Sequence, residues 1–263
     1  MAMVAGTAAV AQERSQDPIL QKFEFENCGY VDGQGKTVIP FIYEDGRPFC
    51  KGKAWVQKDG KWGIINAKGE EVMPFQFNGT GTLSESIMFA WRDSADVSQY
   101  IIYTNDGVRV NPKTYSSVRM ATGGYIPVTC NGKDGLLDLE GREALLCEYD
   151  FVDNFAEHKL RVKKDGRFLF LDEQLQPAFS DTFDNADYFI NGMARVRKGA
   201  FYGYIDATGA EVIPCEYTYL SYFSNGTATA QKGDRKFKID TKGNEVKETP
   251  KAKPRAKKRN LKK

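Results

Sequence analysis

Alternating basic residues are the feature of this sequence whose spacing best suits ligand binding. The segments 160–163 (LRVK) and 194–197 (ARVR) alternate apolar and basic residues, as a β-strand with one face in water does. The related segment 54–57 (AWVQ) carries an aromatic residue instead. Cations beside an aromatic ring predict a site for a phosphate, sulfate or carboxylate group. The ligand-binding residues predicted in this way are Arg161, Lys163, Arg195, Arg197 and Trp55. The alternative is a solvated strand face whose charges protect a sheet edge.

A second candidate set consists of carboxylates at a regular spacing. They are Asp32, Asp138, Asp172, Asp206 and Asp240. Gathered together, they would suit Ca²⁺ or a hydrolase that works with a pair of carboxylates. The same position holds Asn66 and Thr104 in other copies of the pattern, and a Gly follows three residues later in most of them. Because an Asp, Asn or Thr oxygen binds the backbone N–H groups of a turn, turn formation is the favoured role.

Other catalytic or metal-binding sets find no support in the sequence. His158 is the only histidine, and neither a second His nor a Cys pair at metal-ligand spacing accompanies it. We expect His158 to be an exposed loop residue. The sequence also lacks a nucleophile elbow of the Gly-x-Ser-x-Gly type and a Gly-rich phosphate loop ahead of a helix. It therefore predicts no catalytic residue, no metal and no cofactor.

The elements that must position these residues come from an internal repeat. The seven turn positions are 34 residues apart, except for the step from Asn66 to Thr104, which is 38. Eleven residues after the first six turn positions stand aromatic residues, which are Tyr43, Phe77, Tyr115, Tyr149, Phe183 and Tyr217. Six residues after each turn position stands Val or Ala. A fixed period near 34 predicts a tandem array, braced by a spine of aromatic and valine side chains.

Each copy has the pattern of strands rather than of helices. In the sixth copy, residues 194–197 alternate, 201–205 form an aromatic-rich strand, and 206–209 close a hairpin. A third strand follows over 211–213, and we expect Pro214 to end it because proline lacks an N–H group. Helical arrays can share this period, but their elements lack the Gly-marked turns and β-branched residues present here.

The predicted fold is all-β, a tandem array of seven three-stranded β units of about 34 residues each. We expect the units to stack as an open, curved, solenoid-like array. A closed β-propeller is the alternative, although propeller blades usually run ~40–50 residues. The four extra residues of the third copy are expected in its first hairpin, near Asp93–Ser98, where an insertion costs little.

One copy reads Lys61-Trp62-Gly63-Ile64-Ile65-Asn66, followed by Gly69 and Val72-Met73-Pro74. In this form the unit resembles the WG repeat, also called the KWG repeat, of bacterial proteins, and the resemblance covers about residues 23–246. Only this copy keeps the Trp, and the Gly of the motif is replaced by Ile101, Leu169 and Phe237. The resemblance implies a β-repeat surface, often in exported or envelope-linked proteins, and supplies no catalytic residues.

The two ends of the chain differ from the array, which is expected over residues 19–246. Residues 1–18 form a signal-peptide-like or flexible N-terminus, in which Ala9-Val10-Ala11 fits the small-residue cleavage rule. Residues 247–263 hold nine Lys or Arg and one Glu, which leaves 28 basic and 34 acidic residues, a net charge of −6, before them. Prolines and like charges predict a disordered basic tail suited to non-specific contact with a polyanion. No apolar run approaches the ~20 residues of a membrane-spanning helix.

The function that these features favour is a non-enzymatic interaction module, which presents a repetitive β surface to a protein or glycan partner. Its expected location is outside the cytoplasm, in the periplasm or cell envelope, with the cytoplasm as the alternative. A second hypothesis is binding of an anionic glycan or polyanion through the basic strand face. The third is a hydrolase that works with carboxylates alone, which needs two acids about 5–10 Å apart in a cleft.

Overall fold

The computed structural model of the chain describes residues 17–22, 27–94 and 97–246. Their regular structure is β-strand, and none of these residues belongs to a helix with the length and hydropathy that crossing a membrane requires. Apart from Asp17 and Pro18, the predicted N-terminal segment 1–18 and the predicted basic tail 247–263 lie outside the described residues. The strands group into two compact units that divide between Tyr149 and Asp150.

Unit 1, which ends at Tyr149, contains four antiparallel sheets, and the strands of each sheet follow one another in chain order. Sheet 1 consists of β1 (Ile19–Lys22), β2 (Cys28–Val31) and β3 (Thr37–Tyr43). Sheet 2 consists of β4 (Asp45–Gly46), β5 (Lys53–Lys58), β6 (Lys61–Asn66) and β7 (Glu71–Phe77). Sheet 3 consists of β8 (Gly79–Thr82), β9 (Ile87–Ser94) and β10 (Val97–Thr104). Sheet 4 consists of β11 (Ser117–Val118), β12 (Tyr125–Cys130), β13 (Lys133–Asp138) and β14 (Glu143–Tyr149).

Unit 2, which begins at Asp150, contains three sheets of the same kind. Sheet 5 consists of β15 (Phe151–Ala156), β16 (Lys159–Lys164) and β17 (Arg167–Leu171). Sheet 6 consists of β18 (Asn185–Ala186), β19 (Met193–Lys198), β20 (Phe201–Asp206) and β21 (Glu211–Tyr217). Sheet 7 consists of β22 (Tyr219–Leu220), β23 (Thr227–Lys232) and β24 (Arg235–Asp240). Each sheet contains the central hairpin of one sequence copy, which confirms the predicted all-β array of seven repeated units.

The extra residues of the third copy lengthen its central hairpin. β9 and β10 have eight residues each, whereas the corresponding strands of sheet 2, β5 and β6, have six. The two long strands remain paired residue by residue from Thr104 with Ile87 to Val97 with Ser94. The insertion therefore lengthens the hairpin at the end near Ser94 and Val97, where the sequence predicted it.

The Gly of the WG motif decides whether a sheet has a full outer strand. Sheets 1, 2, 4 and 6 have this Gly, and each ends in a seven-residue strand. A Cβ at Gly203 would lie 2.5 Å from the carbonyl oxygen of Ile213 on that strand, and the values at Gly29, Gly63 and Gly135 are 2.6–2.8 Å. In sheets 3, 5 and 7 a larger side chain replaces the Gly, and this outer pairing is reduced to isolated bridges.

The outer strand also corrects one expectation. We expected Pro214 to end the third strand, yet β21 continues through it to Tyr217. Its pairing with β20 shifts register between Tyr202 and Ile205, so the strand is bulged rather than regular. Proline is compatible with such a position because β21 lies at the sheet edge, where a missing N–H breaks no ladder bond on the open side.

Consecutive sheets within a unit share an apolar core. In unit 1, for example, Trp55, Ile64 and Phe77 of sheet 2 pack against Met88 and Tyr103 of sheet 3. The six aromatic residues of the predicted spine are all buried, which confirms that part of the expectation. The valine part is confirmed only in some copies. Val110, Ala178 and Val212 pack against the cores of their units, whereas Val38 and Val72 are exposed on the outer strands.

Candidate functional site

The regularly spaced carboxylates bond the hairpin turns that they begin. Asp32 Oδ1 accepts hydrogen bonds from the amides of Gln34 and Lys36, both at 2.9 Å. The same pair of bonds recurs at Asn66, Asp138, Asp172, Asp206 and Asp240, and a single such bond at Thr104. At Asp32 the Lys36 amide, followed by the Gln34 amide, lowers the pKa of the carboxyl. The predicted turn-forming role is confirmed.

Arg161 and Arg195 bind neighbouring sheets rather than facing solvent. Arg195 Nε donates to Asp187 Oδ2 at 2.8 Å, and its Nη1 donates to the carbonyl oxygen of Leu220 in sheet 7 at 2.7 Å. Arg161 repeats this arrangement with Asp153 and with the carbonyl oxygen of Ala186 in sheet 6. The two arginine side chains are only 17% and 18% exposed. Each guanidinium is therefore largely buried, paired with an aspartate of its own sheet, and hydrogen-bonded to the next sheet.

The other cations of the predicted stripe do not join these arginines in one anion site. Lys163 Nζ lies 5.2 Å from the ring centre of Phe168, and Arg197 Nη1 donates to the carbonyl oxygen of Gly199 at 2.8 Å. Trp55, predicted on the same face, is 1% exposed and packs against Phe77 and Tyr103. Alternation predicted one wet face, but Arg161, Arg195 and Trp55 each contact the sheet that follows their own. The predicted solvent-exposed placement was wrong for Arg161, Arg195 and Trp55.

His158 is an exposed loop residue, as expected. Its Nδ1 lies 2.7 Å from Glu173 Oε1, and the side chain is 79% exposed. Within the described residues, no group of three or more His, Cys, Asp or Glu residues has an arrangement that could hold a metal ion.

A concave site lies in unit 2, between sheets 6 and 7. We call it the Tyr188–Tyr222 pocket, after the two tyrosines, 51% and 55% exposed, that stand at its rim. Its volume is about 490 Å³, within the range of small-molecule sites. Apolar side chains that line it are those of Ile190, Met193 and Phe223.

The polar wall of the pocket is a connected network. The Arg195 guanidinium lies 4.2 Å from the ring centre of Tyr222 and also holds Asp187. At the base, the Tyr204 hydroxyl donates to the carbonyl oxygen of Ser221 at 2.9 Å, and burial raises the pKa of Tyr204 to about 12. Burial, and then the Asp187 carboxylate, also raises the pKa of Tyr222. Both phenols are therefore neutral near pH 7.

Three further side chains of the pocket offer unused hydrogen-bonding groups. They belong to Asn191, Asn225 and Thr241. None of the three side chains makes a hydrogen bond to another residue in the described part of the chain. Two aromatic rings and a set of amide and hydroxyl groups thus face one cavity, a combination that suits a ligand with both apolar faces and many hydroxyl groups.

Of the predicted site residues, Arg195 lines this pocket, but sequence reasoning missed the pocket itself because its rim tyrosines and its asparagines lie on return segments, outside the alternating strands. Tyr188 and Tyr222 are 34 residues apart and therefore occupy the same position in adjacent copies. Asn154, Met120 and Pro48 stand at that position in other copies. An aromatic residue at a loop position in only two neighbouring copies was the signal that would have located the site.

Unit 1 has a cavity at the corresponding rim, between sheets 2 and 3. Its volume is about 320 Å³, and Arg47, Pro48 and Thr82 take the places of Asp187, Tyr188 and Tyr222. Trp55 stands where Arg195 stands in unit 2, and its buried indole N–H has no hydrogen-bond partner among the described residues. The same scaffold position therefore carries different chemistry in the two units.

The family model for the WG containing repeat matches residues 29–62, 62–91, 135–168, 182–200 and 202–235. These segments span more than half of the chain. The chain belongs to the WG repeat family. The Gly of the WG repeat is the residue that allows the outer strand to approach, as the geometry at Gly63 and Gly203 shows.

Among curated proteins no match was found. Solved structures similar to the chain include the crystal structure of a eukaryotic initiation factor, with 10% identity and a TM-score of 0.39, over 87% of this chain and 72% of that one. The structure of Kluyveromyces lactis Hsv2p is similar with 11% identity and a TM-score of 0.34, over 65% of this chain and 63% of that one. AztD from Citrobacter koseri matches with 13% identity and a TM-score of 0.30, over 76% and 68% of the two chains.

Proposed function

We propose that this WG repeat protein is a non-enzymatic binding module for a glycan, and that the Tyr188–Tyr222 pocket is its binding site. The observation that supports the proposal is the composition of the pocket. Two half-exposed tyrosines offer ring surface to the apolar face of a sugar, while the side chains of Asn191, Asn225 and Thr241 offer hydrogen-bonding groups to its hydroxyls. A volume of about 490 Å³ accommodates one or two sugar rings.

The number and the bonding of the carboxylates support a binding role rather than a hydrolytic one. Hydrolysis of a glycosidic bond uses two carboxyl groups that flank the bond, about 5–10 Å apart. Asp187 is the carboxylate among the described residues that line the pocket, and Arg195 holds it at 2.8 Å. The aspartates of the repeat are engaged in their own hairpin turns.

An extracytoplasmic location, in the periplasm or cell envelope, forms part of the proposal. Its support is the small-residue motif Ala9-Val10-Ala11 and the occurrence of WG repeats in envelope-linked proteins. Fractionation of cells that produce the full chain, followed by N-terminal sequencing, tests this part. Recovery of the chain in the cytoplasm with residues 1–11 intact would contradict it.

A glycan array probed with the full chain tests the proposed function, and isothermal titration calorimetry then measures the affinity of each hit. Replacement of Tyr222 by Ala removes a stacking surface, so we expect binding about tenfold weaker. Tyr219→Ala is the matched control, because Tyr219 is a half-exposed tyrosine of the same return segment that does not line the pocket. Equal loss in both variants, or no glycan bound at all, would overturn the proposal.

A further inference from the structure

The turn that begins β23 repeats the geometry of the turn that begins β19. Asn191 and Gly192 have φ angles of 52° and 76°, and Asn225 and Gly226 have φ angles of 50° and 75°. In both turns the flanking residues exchange two backbone hydrogen bonds, Ile190 with Met193 and Ser224 with Thr227. In each case the amide groups of the two central residues make no backbone hydrogen bond within the hairpin.

In sheet 6 these two amides bind a carboxylate. Asn191 N donates to Glu157 Oε1 at 2.6 Å, and Gly192 N donates to Glu157 Oε2 at 2.8 Å. Glu157 comes from the preceding sheet and lies 34 residues before Asn191. Two adjacent N–H groups that converge on one carboxylate form a small anion-binding concavity.

The turn at Lys51 and Gly52 in unit 1 provides a second example. Its φ angles are 46° and 75°, and Asp17, again 34 residues earlier, places Oδ1 4.0 Å from the position that a Cβ on Gly52 would occupy. In both units, therefore, a carboxylate from 34 residues earlier lies near a turn of this kind.

The turn in sheet 7 lacks this carboxylate. The position 34 residues before Asn225 is Asn191, whose side chain is neutral. Neither the Asn225 amide nor the Gly226 amide donates a hydrogen bond to any residue that the structure describes. Both residues line the Tyr188–Tyr222 pocket, beside Asn191. The pocket thus contains, at its edge, the two-amide carboxylate site that the chain itself fills at the neighbouring junction.

We infer that the Tyr188–Tyr222 pocket binds an acidic sugar, whose carboxylate is held by the amides of Asn225 and Gly226 while its ring lies against Tyr222. This inference rests on the proposed glycan-binding function and names the class of glycan. The charges of the pocket are compatible with it, because Arg195 pairs with Asp187 and so offsets its negative charge. The two amide donors then favour a negatively charged group on the ligand. Charge-assisted hydrogen bonds to a carboxylate are stronger than those to a neutral hydroxyl, so the acidic sugar is selected over its neutral counterpart.

The first experiment compares matched sugars on the full chain. The probes are digalacturonate, methyl glucuronide and N-acetylneuraminate, each beside a neutral counterpart, and a set of short peptides with free carboxyl ends. We expect one of the acidic sugars to bind at least about tenfold more tightly than its neutral counterpart. In ¹⁵N-resolved spectra, the amide signals of Asn225 and Gly226 should move on its addition.

The second experiment installs the missing carboxylate. In Asn191→Glu the new side chain matches Glu157, which stands at the equivalent position with a similar φ of 48°. It should reach the Asn225 and Gly226 amides, shift their signals without ligand, and weaken acidic-sugar binding about tenfold or more. Asn191→Gln is the matched control, because it has the same length without charge. It measures the effect of changing the Asn191 side chain itself, and Asn191→Glu should bind the acidic sugar about tenfold more weakly than Asn191→Gln.

The outcomes separate this inference from the proposed function. Equal affinity for acidic and neutral sugars would overturn the carboxylate site and leave the glycan-binding function standing. Unmoved Asn225 and Gly226 signals, or equal effects of Asn191→Glu and Asn191→Gln, would also overturn it. Binding of free-acid peptides alone, or of none of the probes, would overturn both proposals.

Discussion

The turn residue of the repeat has the same role in every copy, with or without a charge. Asp32 and Asn66 accept the same two amide hydrogen bonds from positions two and four residues later. The difference is that a carboxylate must stay ionised to do so fully, whereas the Asn amide has no proton to gain. The charged copies are therefore the acid-sensitive points of the array.

Lower pH should destabilise the array through these turns. Turn hydrogen bonds lower the pKa values of Asp32, Asp206 and Asp240 in the folded chain, so their stabilising contribution is present above the unfolded value of about 3.9. It is lost as the pH falls through the lower folded values, because the folded chain then takes up the protons as well. We expect the urea midpoint to fall steeply below about pH 4.

The triple variant Asp32→Asn, Asp206→Asn, Asp240→Asn is the control for this prediction. It keeps the turn hydrogen bonds, as Asn66 does, but removes three of the protons that link folding to pH. Its urea midpoint should depend less on pH between about 5 and 2 than that of the original chain. An identical pH dependence of the two proteins would show that the turn carboxylates do not carry the effect.

At the scale of elements, the close approach of the outer strand to the central one determines the shape of each sheet. The recurring Gly of the WG motif was visible in the sequence, but its structural role was not. A sequence pattern describes each strand separately. The close approach at Gly203, where a Cβ would lie 2.5 Å from the Ile213 carbonyl oxygen, depends on how two strands pair around a bulge.

Replacement of Gly203 by Ala should therefore weaken the attachment of β21. The added Cβ would overlap the Ile213 carbonyl oxygen and force the outer strand to move, at a cost of about 1–3 kcal/mol in the free energy of unfolding. Gly33→Ala is the matched control, since a Cβ there meets nothing within 4 Å. Chemical denaturation measures both variants. A difference between them below about 0.5 kcal/mol would contradict this account of the WG glycine.

The core between sheets 2 and 3 supplies another prediction at this scale. Trp55 is buried against Phe77 and Tyr103, so Trp55→Ala should lower the free energy of unfolding by about 3–5 kcal/mol. Trp55→Phe should lower it much less, because a ring remains and the unpartnered indole N–H is removed. Urea denaturation followed by circular dichroism measures both. Equal destabilisation by the two variants would mean that the ring contacts are not what Trp55 contributes.

At the scale of the whole molecule, the hairpins and the aromatic spine recur along the array, whereas the return segments differ from copy to copy. The repeat period, the hairpins and the aromatic spine were all predictable, because they recur in every copy and chance does not align them. The proposed binding site was not predictable in the same way. Tyr188, Tyr222 and the unfilled turn at Asn225 matter because they differ from the other copies, and their proximity follows from the stacking of sheets 6 and 7. The exposed placement predicted for Arg161 and Arg195 was wrong because the groups that bind them belong to other strands and to the next sheet, which the pattern of a single strand does not show.

Charge is also distributed unevenly over the chain. Residues 1–246 have a net charge of −6, and residues 247–263 contain nine Lys or Arg and one Glu. An acidic array does not attract a polyanion, so any such binding by the full chain should come from the basic end. Because that segment contains no aromatic residue to stack on bases, it should bind without regard to sequence.

The full chain should bind duplex DNA of unrelated sequences equally, with an affinity that falls steeply with salt. If all nine basic residues contact phosphates, the logarithm of the binding constant should fall with that of salt concentration with a slope of about −8. A chain that ends at Val246, or one with the nine residues replaced by Gln, should lose this binding. Both should keep the affinity for the ligand of the Tyr188–Tyr222 pocket. Fluorescence anisotropy over a salt series measures the slope. Retained DNA binding in either variant would place the polyanion contact on the array instead.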